Sequence, residues 1–524
     1  MSMKTISRRI AVALGVVAVA AMCRSVGADE ISKKHDRWYA VRVMNKPIGW
    51  AHLREVDQPA GKSTHLSLHM ELRRGNAVSK VAYETRFDET EDGRPIQSVV
   101  TTNFGTTNSK QTVIFLPNAV EIVVEQLGQK RRRTVAPSKQ PWMPPAAAAR
   151  YVEQQIDAGS KDIRVWSVDP SSGMVDPIET RMKLRGRENV EVLGKVVPAM
   201  VWDTSTSIVP GVVAKLYTDD EGNDLKTSFN LLPGVAFEML LADRQIAQAQ
   251  IDPPELLVST FVTPDKPISD PREQTLLVYE LQFTQLPATA ENPDAATPQA
   301  PPGVELPTAA AQRVRWIDRH TAVVTVSLDD PVLTGDDLAG EIHLRASSML
   351  NHEDPEVRRL VKKALNSGSK TWTEAEKSER MRQFVRDYVK TKDLSVGFGS
   401  ASEVARTAQG DCTEHAVLLA AMLRAEGIPS RTIGGLVYVG RSVMGRKDFF
   451  GYHMWTQAWL PAKDITGATS HRWFDLDATG RAAFDATHIA LTKNTLDDDE
   501  FVNELVQFAP MLGNLSIKVI ETEK

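Results

Sequence analysis

Gly410-Asp411-Cys412-Thr413-Glu414-His415-Ala416-Val417-Leu418-Leu419-Ala420-Ala421-Met422-Leu423-Arg424 reads as a helix entered through a cap. Asp411 stands at the N-cap and Glu414 three residues on, the reciprocal pairing of a capping box. Val417, Leu418, Leu419, Met422 and Leu423 leave almost no polar face, so the helix is expected to be buried. Gly427 stops it and Pro429 follows. Cys412 therefore falls in the first turn. Unpaired N–H groups and the positive end of the helix dipole favour a thiolate there, and the same N–H groups suit an oxyanion. The plain alternative is a cysteine serving as a small buried hydrophobe, which gains nothing from the head of a helix.

A thiolate used in acyl transfer needs a base, and the base needs an orienting group. Tyr452-His453-Met454-Trp455-Thr456-Gln457-Ala458-Trp459-Leu460 alternates as a strand, with His453, Trp455, Gln457 and Trp459 on one face. Arg472-Trp473-Phe474-Asp475-Leu476-Asp477 reads as a second strand with both aspartates on one face. Antiparallel pairing would bring those aspartates near His453. Two alternatives stand beside this. His415, three residues after Cys412 on the same helical side, could touch the thiol, though a histidine inside a buried helix is more often a bonded core residue. Asp475 could orient His453 in place of Asp477. Trp455 and Trp459 either wall the cleft or belong to the core, the latter being the expectation for Trp459. Arg424 and Arg431 read as structural ion partners.

The three motifs GDCTEHAVLLAAMLRAEGIPSR, GYHMWTQAWL and RWFDLDAT, in that order, resemble the transglutaminase-like superfamily of papain-type cysteine enzymes. Carried over by position, the resemblance makes Cys412 the nucleophile, His453 the general base and Asp477 the orienting residue. It covers roughly the last third of the chain. It implies attack on an amide carbonyl and a thioester acyl-enzyme; no EF-hand-type metal loop is present, so no calcium switch, metal or cofactor is expected.

Outward from this region the pattern changes. Asp354–Leu365, Thr373–Val389 and Ser402–Thr407 read as helices, and Ile489–Leu491, Asp497–Phe508 and Leu515–Ile520 as the elements that close an α+β region. Residues 35 to about 250 read instead as strands, among them Trp38–Met44, Thr64–Leu72, Ser79–Phe87, Gln111–Phe115 and Val120–Glu125, with one helix at Pro145–Asp157. That pattern predicts a large curved or half-closed antiparallel sheet. Asp219, Asp220, Glu221 and Asp224 miss the spacing of a calcium loop and read as a hairpin turn. Leu276–Phe283, Ala322–Leu328 and Glu341–Arg345 read as further strands. Between them Pro287, Pro293, Pro298, Pro301, Pro302 and Pro307 mark 287–312 as an extended mobile loop. The expected fold is multidomain: a β-rich N-terminal domain over 29–252, a second β-rich segment over 253–350, and an α+β papain/transglutaminase-like domain over 351–524.

Residues 1–28 read as a signal peptide: Lys4, Arg8 and Arg9, then the apolar run Ile10–Met22, then Val26-Gly27-Ala28. The apolar run is shorter than the roughly 20 residues of a membrane span. An uncleaved anchor is the second option, and Arg8-Arg9 leaves the twin-arginine route open beside the general one. The chain is thus expected to be exported, periplasmic or secreted. Only Cys23 and Cys412 are present, and cleavage after Ala28 removes the first, so no intramolecular disulfide can form in the mature chain. With 62 Lys+Arg against 67 Asp+Glu, the net charge of −5 argues against nucleic acid as partner. The run Lys130-Arg131-Arg132-Arg133 reads as a solvated strand end. The partner is a protein or peptide substrate, with a cell-envelope component as one such source, and no membrane beyond an N-terminal anchor. Hydrolysis, as a peptidase or amidase, is the preferred outcome. Glutamine transamidation and a non-catalytic envelope scaffold with a relic triad are the alternatives.

The cleavage site is directly testable. N-terminal sequencing of the exported protein should begin at Asp29, whereas retention of Met1 through Ala28 in the mature form would establish an anchor.

Overall fold

The computed structural model describes residues 36–523, apart from 75–76, 105–106, 127–128, 169–175, 208–212, 233–234, 255–259, 284–305, 333–336, 367–370, 391–398, 464–468, 483 and 498–513. The expected signal segment and most of the proline-rich loop lie outside the described residues, as does all but the start of the element expected at Asp497–Phe508. The chain divides near residue 255 into two compact units. Among the described residues no helix is long and apolar enough to cross a membrane.

The first unit is built on one fourteen-stranded sheet in which every named neighbour pair is antiparallel. Two meanders meet where the first strand, Asp36–Val43, pairs with the last, Val235–Ala242, placing Trp38 opposite Ala242 and Val43 opposite Phe237. The helix Pro145–Asp157 lays Ala148, Val152 and Ile156 on Ile163, Val165, Met182 and Trp202. Pro144 offers no side-chain cap. The buried carboxylate of Glu89 instead accepts from the N–H groups of Ala146 and Ala147, each at 2.9 Å, so a residue distant in sequence satisfies the helix start. The basic run Lys130–Arg133 lies on an edge strand, Gln129–Val135, and Lys130 pairs with Glu125 across the ladder. Charge on an edge discourages pairing with other chains.

Among the described residues, the second unit holds two four-stranded sheets and four α-helices. Strands β1 (Leu276–Phe283), β2 (Gln312–Trp316) and β3 (Thr321–Ser327) form one sheet. The helices are α1 (Pro355–Leu365), α2 (Glu374–Tyr388), α3 (Ala401–Thr407) and α4 (Cys412–Ala425). Strands β4 (Ser430–Val439), β5 (Phe449–Lys463), β6 (Thr469–Leu476) and β7 (His488–Asn494) form the other sheet, in the order β6-β5-β4-β7. The last strand, β8 (Leu515–Glu523), returns to the first sheet and pairs with β1, Leu281 opposite Ile517. Position 350 is therefore no boundary between compact units: the second β-rich segment and the region after 351 share a sheet.

The core is layered. On one face of the β4–β7 sheet, Met454 and Ala458 of β5 pack with Ala416–Leu423 of α4, which α1, α2 and α3 enclose through Val357, Leu360, Met381, Val385 and Val404. On the other face, Leu436, Tyr438, Phe450 and Ile489 pack with Leu277, Tyr279, Leu281 and Val324 of the first sheet.

Two expectations are corrected. Glu341–Arg345 is not a strand: Glu341–His343 forms a 3₁₀ turn, with the Gly340 N–H bonded to His343 Nδ1 at 3.0 Å. The proline-rich stretch is not loose throughout either, because Leu306 and Ala309–Gln312 are buried. Gln312 Nε2 donates to Ala490 O at 3.0 Å and Pro307 O at 2.8 Å, and its Oε1 accepts from Ala490 N at 2.8 Å. β7 is an edge strand, and one amide side chain satisfies both outward-facing groups of its residue 490.

Gln312→Ala should therefore cost about 2 kcal/mol in urea unfolding of the second unit, the penalty of stranding buried backbone groups. Gln383→Ala, on the exposed face of α2, serves as control, with about 0.5 kcal/mol at most expected. Equal losses would remove the edge-sealing role.

Candidate active site

Cys412 is the first residue of α4, and its seat is made by Asp411 and Glu414. Asp411 Oδ1 accepts from Thr413 N at 2.9 Å, and Glu414 Oε2 accepts from Asp411 N at 2.8 Å. Glu414 is fully buried, and its Oε1 takes the Gly399 N–H at 2.8 Å. Burial first, and the Asp411 charge second, push its carboxyl well above the ordinary range. Gly410 has φ +148°, and a Cβ there would lie 2.2 Å from Glu414 Cβ. Any side chain at 410 would displace the residue that fixes the helix start. Thr413 to Arg424 are buried, whereas Cys412 keeps partial exposure.

His453 projects from β5, opposite Gly435 of β4. Its Nε2 lies 3.0 Å from Asp477 Oδ2, and the Cys412 side chain is near enough to act on its ring. With Nε2 engaged by the carboxylate, Nδ1 is the ring nitrogen left for sulfur. Burial opposes a charge on this ring. The Asp477 carboxylate, by charge and hydrogen bond, and the Cys412 side chain outweigh burial and raise the imidazole from 6.5 to about 10.

Asp477 follows β6 directly. Its Oδ1 accepts from Thr479 N and Oγ1, each at 2.7 Å. Its main-chain oxygen accepts from Arg382 Nη1 at 3.0 Å, and the same guanidinium, 1% exposed, also donates to the oxygens of Gly480, Arg481 and Ala482. Burial disfavours the Asp477 charge, yet His453 and His488 hold the carboxyl well below the ordinary range.

The alternatives resolve by geometry. Asp475 is committed elsewhere: Oδ1 accepts from Trp455 Nε1 at 2.8 Å and Gln457 Nε2 at 2.7 Å, and Oδ2 from Ala311 N at 3.2 Å. Burial raises its carboxyl. His415 is buried in α4, with Nδ1 2.6 Å from Asp411 O. Trp455 is core, 1% exposed, and Trp459 is the partly exposed one, edge-on to Trp473. Arg431 pairs with Asp337 through two bonds of 2.7 and 2.8 Å. Arg424 donates instead to the main-chain oxygens of Arg345, Ser430 and Thr495. The sequence reading passed over His488, whose Nε2 lies 3.3 Å from Asp477 Oδ2, and Arg382, which clamps the loop carrying Asp477. Neither sits at a spacing that marks it. Among the described residues, His453, Asp477 and His488 are the one group with side-chain atoms within 4.8 Å of one another in the manner of metal ligands. The N···O contacts of 3.0 and 3.3 Å between them are hydrogen-bonded.

A thiol at the head of a buried helix, beside a histidine that a buried carboxylate holds, is the constellation of a cysteine enzyme. Residues 361–478, in the C-terminal part of the chain, match the family model of the transglutaminase-like superfamily. Comparison with curated proteins finds no match. Among solved structures, a β-barrel-like protein of a domain of unknown function from Brucella abortus aligns over 40% of this chain and 95% of its own, at 10% identity and TM-score 0.32. A candidate cysteine protease from Cytophaga hutchinsonii aligns over 47% and 88%, at 13% identity and TM-score 0.25. A candidate protease from Parabacteroides distasonis aligns over 75% and 69%, at 10% identity and TM-score 0.18. With TM-scores this low, none of the three bears on function.

Folding raises the His453 pKa, so the contribution of its proton to stability is complete below pH 6.5 and disappears as pH rises through about 10. An NMR titration of the His453 ring should show a midpoint near 10. Asp477→Asn should lower it markedly, since only the Cys412 side chain then opposes burial. Asp475→Asn should leave it in place. A midpoint near 6.5 in the unaltered protein would mean that the Asp477 contact does not govern the ring.

Proposed function

We propose that the second unit is an exported amide-bond hydrolase, a peptidase or amidase, working through a Cys412 acyl-enzyme. The observation that carries this reading is His453 held by Asp477 at 3.0 Å, with Cys412 of the α4 head close enough to act on its ring. Cys412 Sγ attacks the carbonyl carbon of the substrate amide and forms a C–S bond. The tetrahedral oxyanion is met by N–H groups at the start of α4. His453 gives its proton to the departing nitrogen as the C–N bond breaks. Water then attacks the thioester, His453 takes a proton from it, and the C–S bond breaks to release the acid. Asp477 keeps the ring in the tautomer and orientation both steps need. Hydrolysis is preferred over transamidation because an exported cleft meets water at far higher concentration than any amine. The substrate class is protein or peptide, with a cell-envelope component as one source. Export rests on the positive and apolar pattern of residues 1–28.

A thiol-directed peptide amide probe should label Cys412 in the purified protein, as located by peptide mass mapping. Cys412→Ala should abolish labelling and turnover with the fold intact by circular dichroism. His453→Ala should lower turnover about 10²–10⁴-fold, and His415→Ala should act mainly on stability. Asp477→Ala should cost more rate than Asp475→Ala. A labelled primary amine added as acceptor separates hydrolysis from cross-linking: its stoichiometric capture into product would replace the hydrolytic reading. Absence of any labelling would leave the scaffold reading in its place.

A further inference from the structure

His488 is a buried titratable group that the proposed steps do not use. It opens β7 and is 2% exposed. Its Nε2 lies 3.3 Å from Asp477 Oδ2, on the same oxygen that His453 Nε2 approaches at 3.0 Å. Its Nδ1 lies 3.0 Å from Asp485 O and 3.2 Å from Asp485 Oδ1. Both ring nitrogens therefore face acceptors only. A neutral imidazole has one N–H and one lone pair, so a neutral His488 would aim a lone pair at an oxygen on one side. The imidazolium alone satisfies both contacts.

The other groups around the ring fit a cation. Asp485 Oδ1 also accepts from Thr487 N at 3.0 Å, and Asp485 Oδ2 accepts from Arg272 Nη1 at 2.8 Å. Arg272 is anchored further by Tyr438 O at 2.9 Å and Thr487 Oγ1 at 3.1 Å. Trp455 and Phe484 cover the ring with centroids at 5.2 and 4.5 Å, and the His453 ring is 5.5 Å away. Asp475 contributes a further negative charge at longer range. The charged groups thus alternate in sign from Arg272 through Asp485, His488 and Asp477 to His453. Burial disfavours a charge on His488, but hydrogen bonds and charge from Asp477 and Asp485 raise its pKa.

Alternation matters because His453 must change charge during the proposed cycle. When His453 gives its proton to the leaving group, Asp477 loses its partner while buried. A buried carboxylate with no counter-ion takes up a proton or swings away. We infer that His488 is a positioning residue: a standing imidazolium that keeps Asp477 ionised and turned toward His453 through both charge states of that ring. This rests on the assignment of Cys412, His453 and Asp477 as the reacting group. It has a second consequence. A fixed positive charge sharing Asp477 loosens the His453 proton, which aids its transfer to the departing amine.

The test uses the full chain with His488→Asn and His488→Lys. ¹⁵N NMR of the unaltered protein should show both His488 nitrogens protonated from pH 5 to 8. In His488→Asn the titration midpoint of His453 should move upward. In His488→Lys, which keeps a cation, it should return toward the unaltered value. With a peptide amide substrate, His488→Asn should lower kcat about 10- to 100-fold, the range of a mispositioned reacting group, with KM changed less than twofold. His488→Lys should recover part of the loss. A merely structural histidine would lower thermal stability and leave the His453 midpoint unmoved, and that result overturns the inference. So does a neutral His488 at pH 7, or a stoichiometric bound metal whose removal by chelator abolishes activity. The spectroscopic readings need no turnover. If Cys412 proves inert, the nucleophile assignment fails by itself. If Cys412 reacts and His488→Asn behaves like the unaltered protein, only the role of His488 fails.

Discussion

The docking of α4 on β5 is the contact on which the site depends. α4 is buried along its length, and Thr456 Oγ1 of β5 donates to Ala416 O of α4 at 3.0 Å. That bond lies one turn past Cys412 and three residues past His453. With both elements close-packed on the same core, the thiol and the imidazole have little freedom to part. The enclosing helices pack on the same core, and α2 also reaches the Asp477 loop directly through Arg382. Cys412 keeps partial exposure at the head of a helix whose residues Thr413 to Arg424 are buried.

The second constraint is charge. Glu414, Asp475, Asp477, Asp485, His453 and His488 are all removed or nearly removed from water. Isolated buried charges are costly, and each here is answered locally. Glu414 takes two backbone N–H groups and is pushed toward its neutral form. Asp475 takes two side-chain donors and one backbone donor. Asp477 and Asp485 sit between imidazoles and a guanidinium. The two aspartates of the Asp-Leu-Asp run thus separate into different roles, Asp475 bracing Trp455 and Gln457 while Asp477 meets His453. Two residues apart, they share a strand face by simple alternation. The turn after β6, pinned by Arg382 and Thr479, redirects the second.

Much of the site was legible because its signals are local. The capping box around Cys412, the all-apolar helix behind it and the period-two strand bearing His453 each follow from a few adjacent residues. The N-terminal sheet was legible for the same reason, as alternation repeated from strand to strand. What escaped the reading is long-range. Glu341–Arg345 looked like a strand and is a short turn, because the backbone N–H of Gly340 bonds to His343. Leu306–Gln312 looked too poor in apolar groups to pack, yet Gln312 found an open strand edge to satisfy. β8 completes the sheet of β1 from the far end of the chain, which no local pattern announces.

The sequence by itself determined which elements form and which side chains carry reactive chemistry, because helix caps, hydrophobic period and the order of Cys412, His453 and Asp477 are properties of contiguous residues. Only the tertiary structure decided which carboxylate meets His453, which tryptophan is core, and that His488 and Arg382 hold the Asp477 loop from β7 and α2. Those choices are made by register, burial and the need to satisfy every buried donor and charge. Such requirements bind residues far apart in the chain and become visible only once the layers have closed on one another.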